Sequence, residues 1–317
     1  MKHRHRLTIL LCAVLLSVSH AQTTTLVEAL FQDTSPFLQT NWDTTTSSLN
    51  EFTDGGPGAC NGVNWWNFSH VTSGGWNNRA YVRWLWCDFD TAGPGGFTSG
   101  QAGWFDGGGF TPSGGWQTSR TYSTRVRLYF ESGLIRYVTS GSENDHHFKF
   151  ILLAPGVSAD RPIMFVMPGN YDPFDEGAGT AFGGSCDGNV TTQICISFQR
   201  NINHFTQAAY ALVPVGEWVH IQLLHRTGAD GVAFVKIYVN NNVEGSPTSQ
   251  DTDFDGTAWG TPNYAGGFNV GQAANQGTAT DGDFAVRIMD FIFGDGGFYP
   301  TWFPGALPGA LLRLREH

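Results

Sequence analysis

Positive charge is in short supply in this chain. Its 317 residues include 17 Lys and Arg against 27 Asp and Glu, a formal net charge of −10. A surface this acidic repels a phosphate backbone, which excludes nucleic acid as a general partner. Long apolar runs are missing as well. The run from Leu7 to Val18 falls short of the roughly 20 residues that a bilayer demands, so no membrane partner is expected. Stretches with helical periodicity are few and no period of repetition is visible, which excludes bundles, solenoids and propellers. Cysteine is sparse, with 5 residues and no CxxC spacing to support a zinc site.

What is abundant is glycine, with 41 residues, and aromatic side chains, with 24 Phe and 11 Trp. With so little helical patterning, this composition reads as all-β, and the length suits one sandwich or barrel of about 200–250 residues plus loops. At the start, Lys2, Arg4 and Arg6 precede the apolar run, and Ser19-His20-Ala21 follows it, the pattern of a cleaved secretory leader. We therefore expect residues 1–21 to be a signal peptide, residues 22–317 to form a single domain, and the product to be secreted and monomeric. Loss of the three basic residues takes the net charge to about −13.

Outside the leader the cysteines are Cys60, Cys87, Cys186 and Cys195. An even number in a secreted chain points to two disulfides, with three pairings open. Cys186 and Cys195 flank the turn signal Asp187-Gly188-Asn189, which favours that pair and leaves Cys60 with Cys87. Residues 50–118 are rich in Gly, Trp and Asn. Trp65, Trp66, Trp76, Trp104 and Trp116 lie in or beside glycine-rich loops, where they either pack the loops or stack on sugar rings. Residues 22–36 read as an irregular lead-in.

The clearest pattern lies between Tyr210 and Asn240. Val219, Ile221 and Leu223 alternate with His220 and Gln222, and Val235, Ile237 and Val239 alternate with Lys236 and Tyr238. A period of two marks half-buried strands, and Thr227 to Gly231 supplies a hairpin turn between them. The same alternation sets Val126, Leu128 and Phe130 against Arg125, Arg127 and Tyr129. It also sets Phe148 and Phe150 against His147 and Lys149, and Ile196 and Phe198 against Ser197 and Gln199. Arg79 to Trp86 and Phe284 to Phe293 read as further strands. Collected together, these strands offer a polar face that is cationic on an otherwise acidic chain.

The hairpin GEWVHIQLLHRTGADGVAFVKIYVN resembles that of secreted proteins in the concanavalin A-like lectin/glucanase superfamily, through Gly216, Trp218, His220, Ile221, Asp230, Gly231, Tyr238 and Asn240. Residues 120–166 resemble earlier strands of the same superfamily. The resemblance implies a two-sheet jelly-roll sandwich and a polysaccharide partner, and it points to lyases of the heparin lyase and alginate lyase type. Such β-elimination requires a group that neutralises the uronate carboxylate, a base for the C5 proton and an acid for the leaving oxygen. His147 or His220 would be the base and Tyr129 or Tyr238 the acid. Arg125, Arg127 or Gln199 would neutralise, with Lys149, Gln222 and Lys236 lining the face. The chain departs from the alginate-lyase motifs: Ser123-Thr124-Arg125-Val126-Arg127 lacks the glutamate of R-[TS]-E-[LVI], and no Q-[IV]-H occurs. The E-x-D-x-x-E run of the glucanase members is also absent, which disfavours retaining hydrolysis.

Asp251, Asp253 and Asp255, followed by Gly256, begin like a calcium loop, but Pro262 stands where an EF-hand has its glutamate. A looser structural Ca²⁺ site and a solvated acidic loop are both open. Asn67-Phe68-Ser69 and Asn189-Val190-Thr191 are glycosylation sequons. The alternatives to a lyase are a non-catalytic carbohydrate-binding or adhesive module, and a secreted structural protein.

Overall fold

The computed structural model describes residues 24–29, 66–86, 105–106, 120–139, 148–153, 163–171, 186–199, 208–226, 234–241, 243–252, 268–272 and 284–299. Fourteen strands, one short α-helix and a single 3-10 turn (Trp76–Asn78) lie in this part of the chain. In order, the strands are β1 (Thr24–Ala29), β2 (Trp66–Val71), β3 (Tyr81–Trp86), β4 (Phe105–Asp106), β5 (Thr121–Phe130), β6 (Phe148–Leu153) and β7 (Ile163–Pro168). They continue with β8 (Gln193–Gln199), β9 (Ala208–Pro214), β10 (Trp218–Arg226), β11 (Phe234–Val239), β12 (Ser249–Asp251), β13 (Phe268–Gln272) and β14 (Phe284–Asp295). The helix α1 (Gly133–Thr139) follows β5 and packs against β14 and β7.

The strands form two antiparallel sheets. One has eight strands in the order β12-β11-β10-β5-β14-β3-β2, with β1 added along β14, and the other six in the order β4-β13-β6-β7-β8-β9. This is the expected two-sheet sandwich. The hairpin is confirmed by the register of β10 on β11, in which Leu223 faces Ile237 and Gln222 faces Tyr238. The lead-in is corrected: residues 24–29 are a strand whose partner, the second half of β14, lies at the other end of the chain.

Period-two alternation then builds the core. Val126, Leu128, Val219, Ile221, Leu223, Ile237, Val286 and Ile288 are at most 1% exposed on the inner face of the larger sheet. Met164, Val166, Ile194, Ile196 and Phe198 answer them from the smaller sheet and are fully buried. His225 joins this inner face, stacked on Tyr122 at 5.5 Å and meeting Phe198 of the opposite sheet edge-on at 6.0 Å.

The outer face of the smaller sheet is covered around β8. Met167, Tyr171, Cys186, Cys195 and Tyr210 form a second apolar cluster there, closed by the disulfide Cys186–Cys195. Of the two expected pairs this one is observed, while Cys60 and Cys87 lie outside the described residues. The bridge spans a sequence separation of 9. Constraint of the unfolded chain by a loop of that size is worth about 3 kcal/mol. Replacing both cysteines by alanine is expected to lower the unfolding free energy by about 2–3 kcal/mol in urea titrations. A change below half a kcal/mol would show that the apolar cluster holds this segment without the bridge.

Candidate functional site

Because β5, β10, β11 and β14 are neighbours, their outward residues fall into rows across the larger sheet. In the first row Arg83 of β3 faces Arg287 of β14, which faces Tyr129 of β5, which faces Trp218 of β10. In the next row Tyr81 lies beside Met289, which faces Arg127, which faces His220. In the third, Ile292, Arg125, Gln222 and Tyr238 are aligned.

The first row is half-open to solvent. Glu131, at the end of β5, accepts a bond from Arg83 Nε at 2.9 Å and Nη2 at 2.8 Å, and one from Arg287 Nε at 2.8 Å. Burial alone would raise the Glu131 carboxyl, but the bonds and charges of these two arginines outweigh it and hold it below the usual carboxylate range. The Arg287 guanidinium lies 4.4 Å from the centroid of the Tyr129 ring and 5.4 Å from that of Tyr81. Trp218 closes the group, 5.6 Å from Tyr129 and 5.9 Å from Tyr81. Arg287 is thus half-buried, with its Nε bound to Glu131 and its guanidinium set against the Tyr129 and Tyr81 rings.

The second row is deeper. Arg127 is 3% exposed and pairs with the fully buried Asp290 at 3.3 Å. Asp290 also takes a bidentate pair from Arg79, at 2.9 and 2.5 Å. A bulge between Met289 and Ile292 makes this possible: Asp290 has φ 51°, a conformation that Asp tolerates better than most residues. Burial pushes the Asp290 carboxyl up while both arginines oppose it, and burial draws Arg127 down to about 10.

Arg79 ends a short loop that carries Trp76 over this row. The loop is fixed by bonds from Gly75 N to Arg79 O and from Trp76 N to Met289 Sδ. Trp76 meets His220 edge-on at 4.9 Å and lies 5.5 Å from the Arg127 guanidinium. The backbone of His220 is clamped by Asn240, which donates its N–H to the His220 carbonyl and accepts from the His220 N–H through Oδ1. Burial first, and the Arg127 cation second, lower the His220 pKa to about 4, so the imidazole is neutral at pH 7.

The third row is covered. Gly296 to Tyr299, following β14, lies over it as a strap: the Tyr299 ring sits 3.7 Å from the Arg125 guanidinium and Phe298 packs on Tyr238 at 4.9 Å. Arg125, Gln222 and Tyr238 are fully buried. Tyr238 donates its hydroxyl to the Glu244 carbonyl at 2.8 Å, and burial pushes it up to about 12.

The structure thus divides the residues expected to converge. Arg127, Tyr129 and His220 share one face and lie together. Arg125, Gln222 and Tyr238 share that face beneath the strap, and Lys236 lies further along β11 over the Phe234 ring. Lys149 and Gln199 belong to β6 and β8 in the other sheet, so they do not join this group. His147 lies outside the described residues. Asp251 ends β12 opposite the inward-facing Val235 and is 4% exposed, whereas Asp253 and Asp255 lie outside the described residues. Among the described residues no three His, Cys, Asp or Glu gather in a way that would hold a metal ion.

Sequence reasoning missed Arg79, Arg83, Glu131, Arg287 and Asp290. The parity of β3 and β14 would place Arg83 and Arg287 outward. Nothing local pairs them with Glu131, which is 156 residues from Arg287.

The architecture is a two-sheet antiparallel β-sandwich. No family model matches the chain, and no curated protein matches its sequence. Solved structures of similar shape include the marine PL-14 alginate lyase from Aplysia kurodai, at 11% identity and TM-score 0.44, covering 85% of this chain and 98% of that one. The endo-β-1,4-glucuronan lyase of the fungus Trichoderma reesei follows at 12% and 0.39, with 73% and 87% covered. The Emp47p carbohydrate recognition domain is similar at 11% and 0.33, with 74% and 89% covered.

Proposed function

We propose that the outer face of the larger sheet binds an acidic polysaccharide and cleaves it by β-elimination. The observation that carries this reading is the Arg287 guanidinium, held at one edge by Glu131 and lying over the ring of Tyr129 at half-exposed positions. A uronate carboxylate bound to the open edge of Arg287 loses the charge that opposes departure of the C5 proton. His220 and Tyr129 are diagonal neighbours on adjacent strands, about 7–8 Å apart at the backbone, a span that one sugar ring can fill. His220, neutral at pH 7, accepts the C5 proton, and the Tyr129 hydroxyl protonates the leaving oxygen. Tyr129 and Trp218, both half-buried, supply ring faces for the sugars. Within this group Arg79, Arg83, Arg127 and Arg287 outnumber Glu131 and Asp290, which attracts a polyanion to a chain that otherwise repels one.

One observation favours binding without cleavage. His220 Nε2 is buried, with Trp76 edge-on to the ring, so the imidazole is sheltered by the loop. The test is ultraviolet absorbance of the secreted protein with alginate, glucuronan, pectate and glycosaminoglycans, beside retardation in gels containing each polymer. We expect an unsaturated uronate to form on one of them. Tyr129→Phe and His220→Gln should each reduce the rate about 100-fold or more with retardation retained, whereas Arg287→Ala should weaken retardation as well. The acid limb of kcat/KM should fall near pH 4 rather than 6.5, since activity is lost only as pH drops through the lowered His220 pKa. Retardation without absorbance would make the protein a binding module, and the lack of both would remove this face from consideration.

A further inference from the structure

Two sequons occur in the chain, and the structure treats them differently. Asn67 lies within β2, paired with Leu85 of β3. Asn189 lies on the exposed turn between the cysteines of the disulfide, with Asp187, Asn189, Thr191 and Thr192 all open to solvent.

We propose that Asn189 is an N-glycan acceptor. The turn is held by its own hydrogen bonds. Gly188 N donates to Gly169 O at 2.9 Å, Asn189 O accepts from the N–H groups of Thr192 and Gln193, and Asn189 N donates to Gln193 Oε1 at 3.0 Å. Space at Gly188 is tight, since a Cβ there would lie 2.4 Å from the Leu212 side chain and 3.0 Å from the Gly169 carbonyl oxygen. The acceptor amide itself is polarised. Its Oδ1 accepts both the Thr191 N–H at 2.8 Å and the Thr191 hydroxyl at 2.7 Å. Two donors on Oδ1 draw electron density from the carbonyl and orient the amide, and among the described residues Nδ2 has no hydrogen-bond partner.

The chemistry uses an oligosaccharide linked through C1 to a lipid pyrophosphate. A bond forms between Asn189 Nδ2 and sugar C1, the C1–O bond breaks, the lipid pyrophosphate departs, and Nδ2 gives up a proton. The compartment that makes such donors is also one in which disulfides form, and the Cys186–Cys195 bridge flanks the acceptor. A glycan here projects from the smaller sheet and leaves the Arg287 and Tyr129 face of the larger sheet open, so this site is independent of the proposed activity.

The experiment is secretion of the full chain, leader included, from a eukaryotic cell line, followed by peptide mass mapping before and after a glycan-releasing amidase. We expect a glycan at position 189, with amidase treatment converting that residue to Asp. The mobility shift should disappear in Asn189→Gln and in Thr191→Ala and persist in Thr191→Ser and Asn67→Gln. A wild-type chain unmodified at Asn189 would overturn the proposal. Mapping the wild-type chain gives this answer even if a variant is poorly secreted.

Discussion

Asp290→Ala is expected to destabilise the protein by about 3–5 kcal/mol, the cost of leaving buried charge without its partner. Asp290 is fully buried and serves two guanidinium groups, Arg79 and the almost fully buried Arg127. Assembling such a triad is expensive in desolvation, which is why burial pushes Asp290 up and Arg127 down. Once assembled, the removal of its shared anion takes this carboxylate from both guanidinium groups, that of Arg127 buried beside Trp76 and that of Arg79 partly exposed. Asp290→Asn separates charge from backbone, because asparagine accepts φ 51° as readily as aspartate. We expect the Asn variant to show most of the loss, and a second change, Arg127→Met, to restore part of it in a double-mutant cycle. Urea titration reads all three. An alanine variant within about 1 kcal/mol of wild type would mean that Arg79 and Arg127 do not depend on this carboxylate.

The second large effect is acid lability through His225. This imidazole is 3% exposed between the sheets, and burial lowers its pKa to about 3. In the unfolded chain it titrates near 6.5, so below that pH the unfolded state binds a proton that the folded state refuses. The stability it contributes is complete above about pH 6.5 and is lost as pH falls toward its folded value. The slope approaches about 1.4 kcal/mol per pH unit once the unfolded imidazole is fully protonated, so between pH 6.5 and 4.5 the loss is about 2 kcal/mol. His220 and Glu131, both lowered, act in the same direction, whereas the raised Asp290 opposes them. His225→Phe keeps a ring against Tyr122 and Phe198 while removing the titration. We expect its unfolding free energy to change by about 2 kcal/mol less than that of wild type over this interval. Parallel slopes for the two proteins would show that another group governs acid unfolding.

The sandwich was legible because half-buried strands advertise themselves. The alternation in β5, β10 and β11 assigned Val126, Ile221 and Ile237 to the core and Arg127, Tyr129 and His220 to one outer face, and the structure agrees. Parity states which side a residue takes, but not whether that side is covered. Arg125 and Tyr238 have the same outward parity as Arg127, yet Phe298 and Tyr299 lie over them. Cys195 and Ser197 are buried on the outer side of β8 for a similar reason, under the disulfide-bonded segment. The site's carboxylates were illegible because they depend on long-range pairing. Glu131 stands at a strand end and Asp290 in a bulge, and each joins arginines from separate parts of the chain. The short polar β1 had no local signal, since its partner is the last strand.

That last strand also dictates the order of events during synthesis. β14 lies between β5 and β3, and its second half pairs with β1, so three N-terminal strands must wait for residues 284–295 before their edges close. Joining contacts this far apart in sequence carries a large loop-closure entropy and predicts slow folding. Until then β3 and β5 have open edges, with Val82 and Leu128 still without the Ile288 that lies between them in the finished sheet. A nascent chain stopped upstream of Phe284 would therefore be an aggregation hazard rather than a smaller working domain.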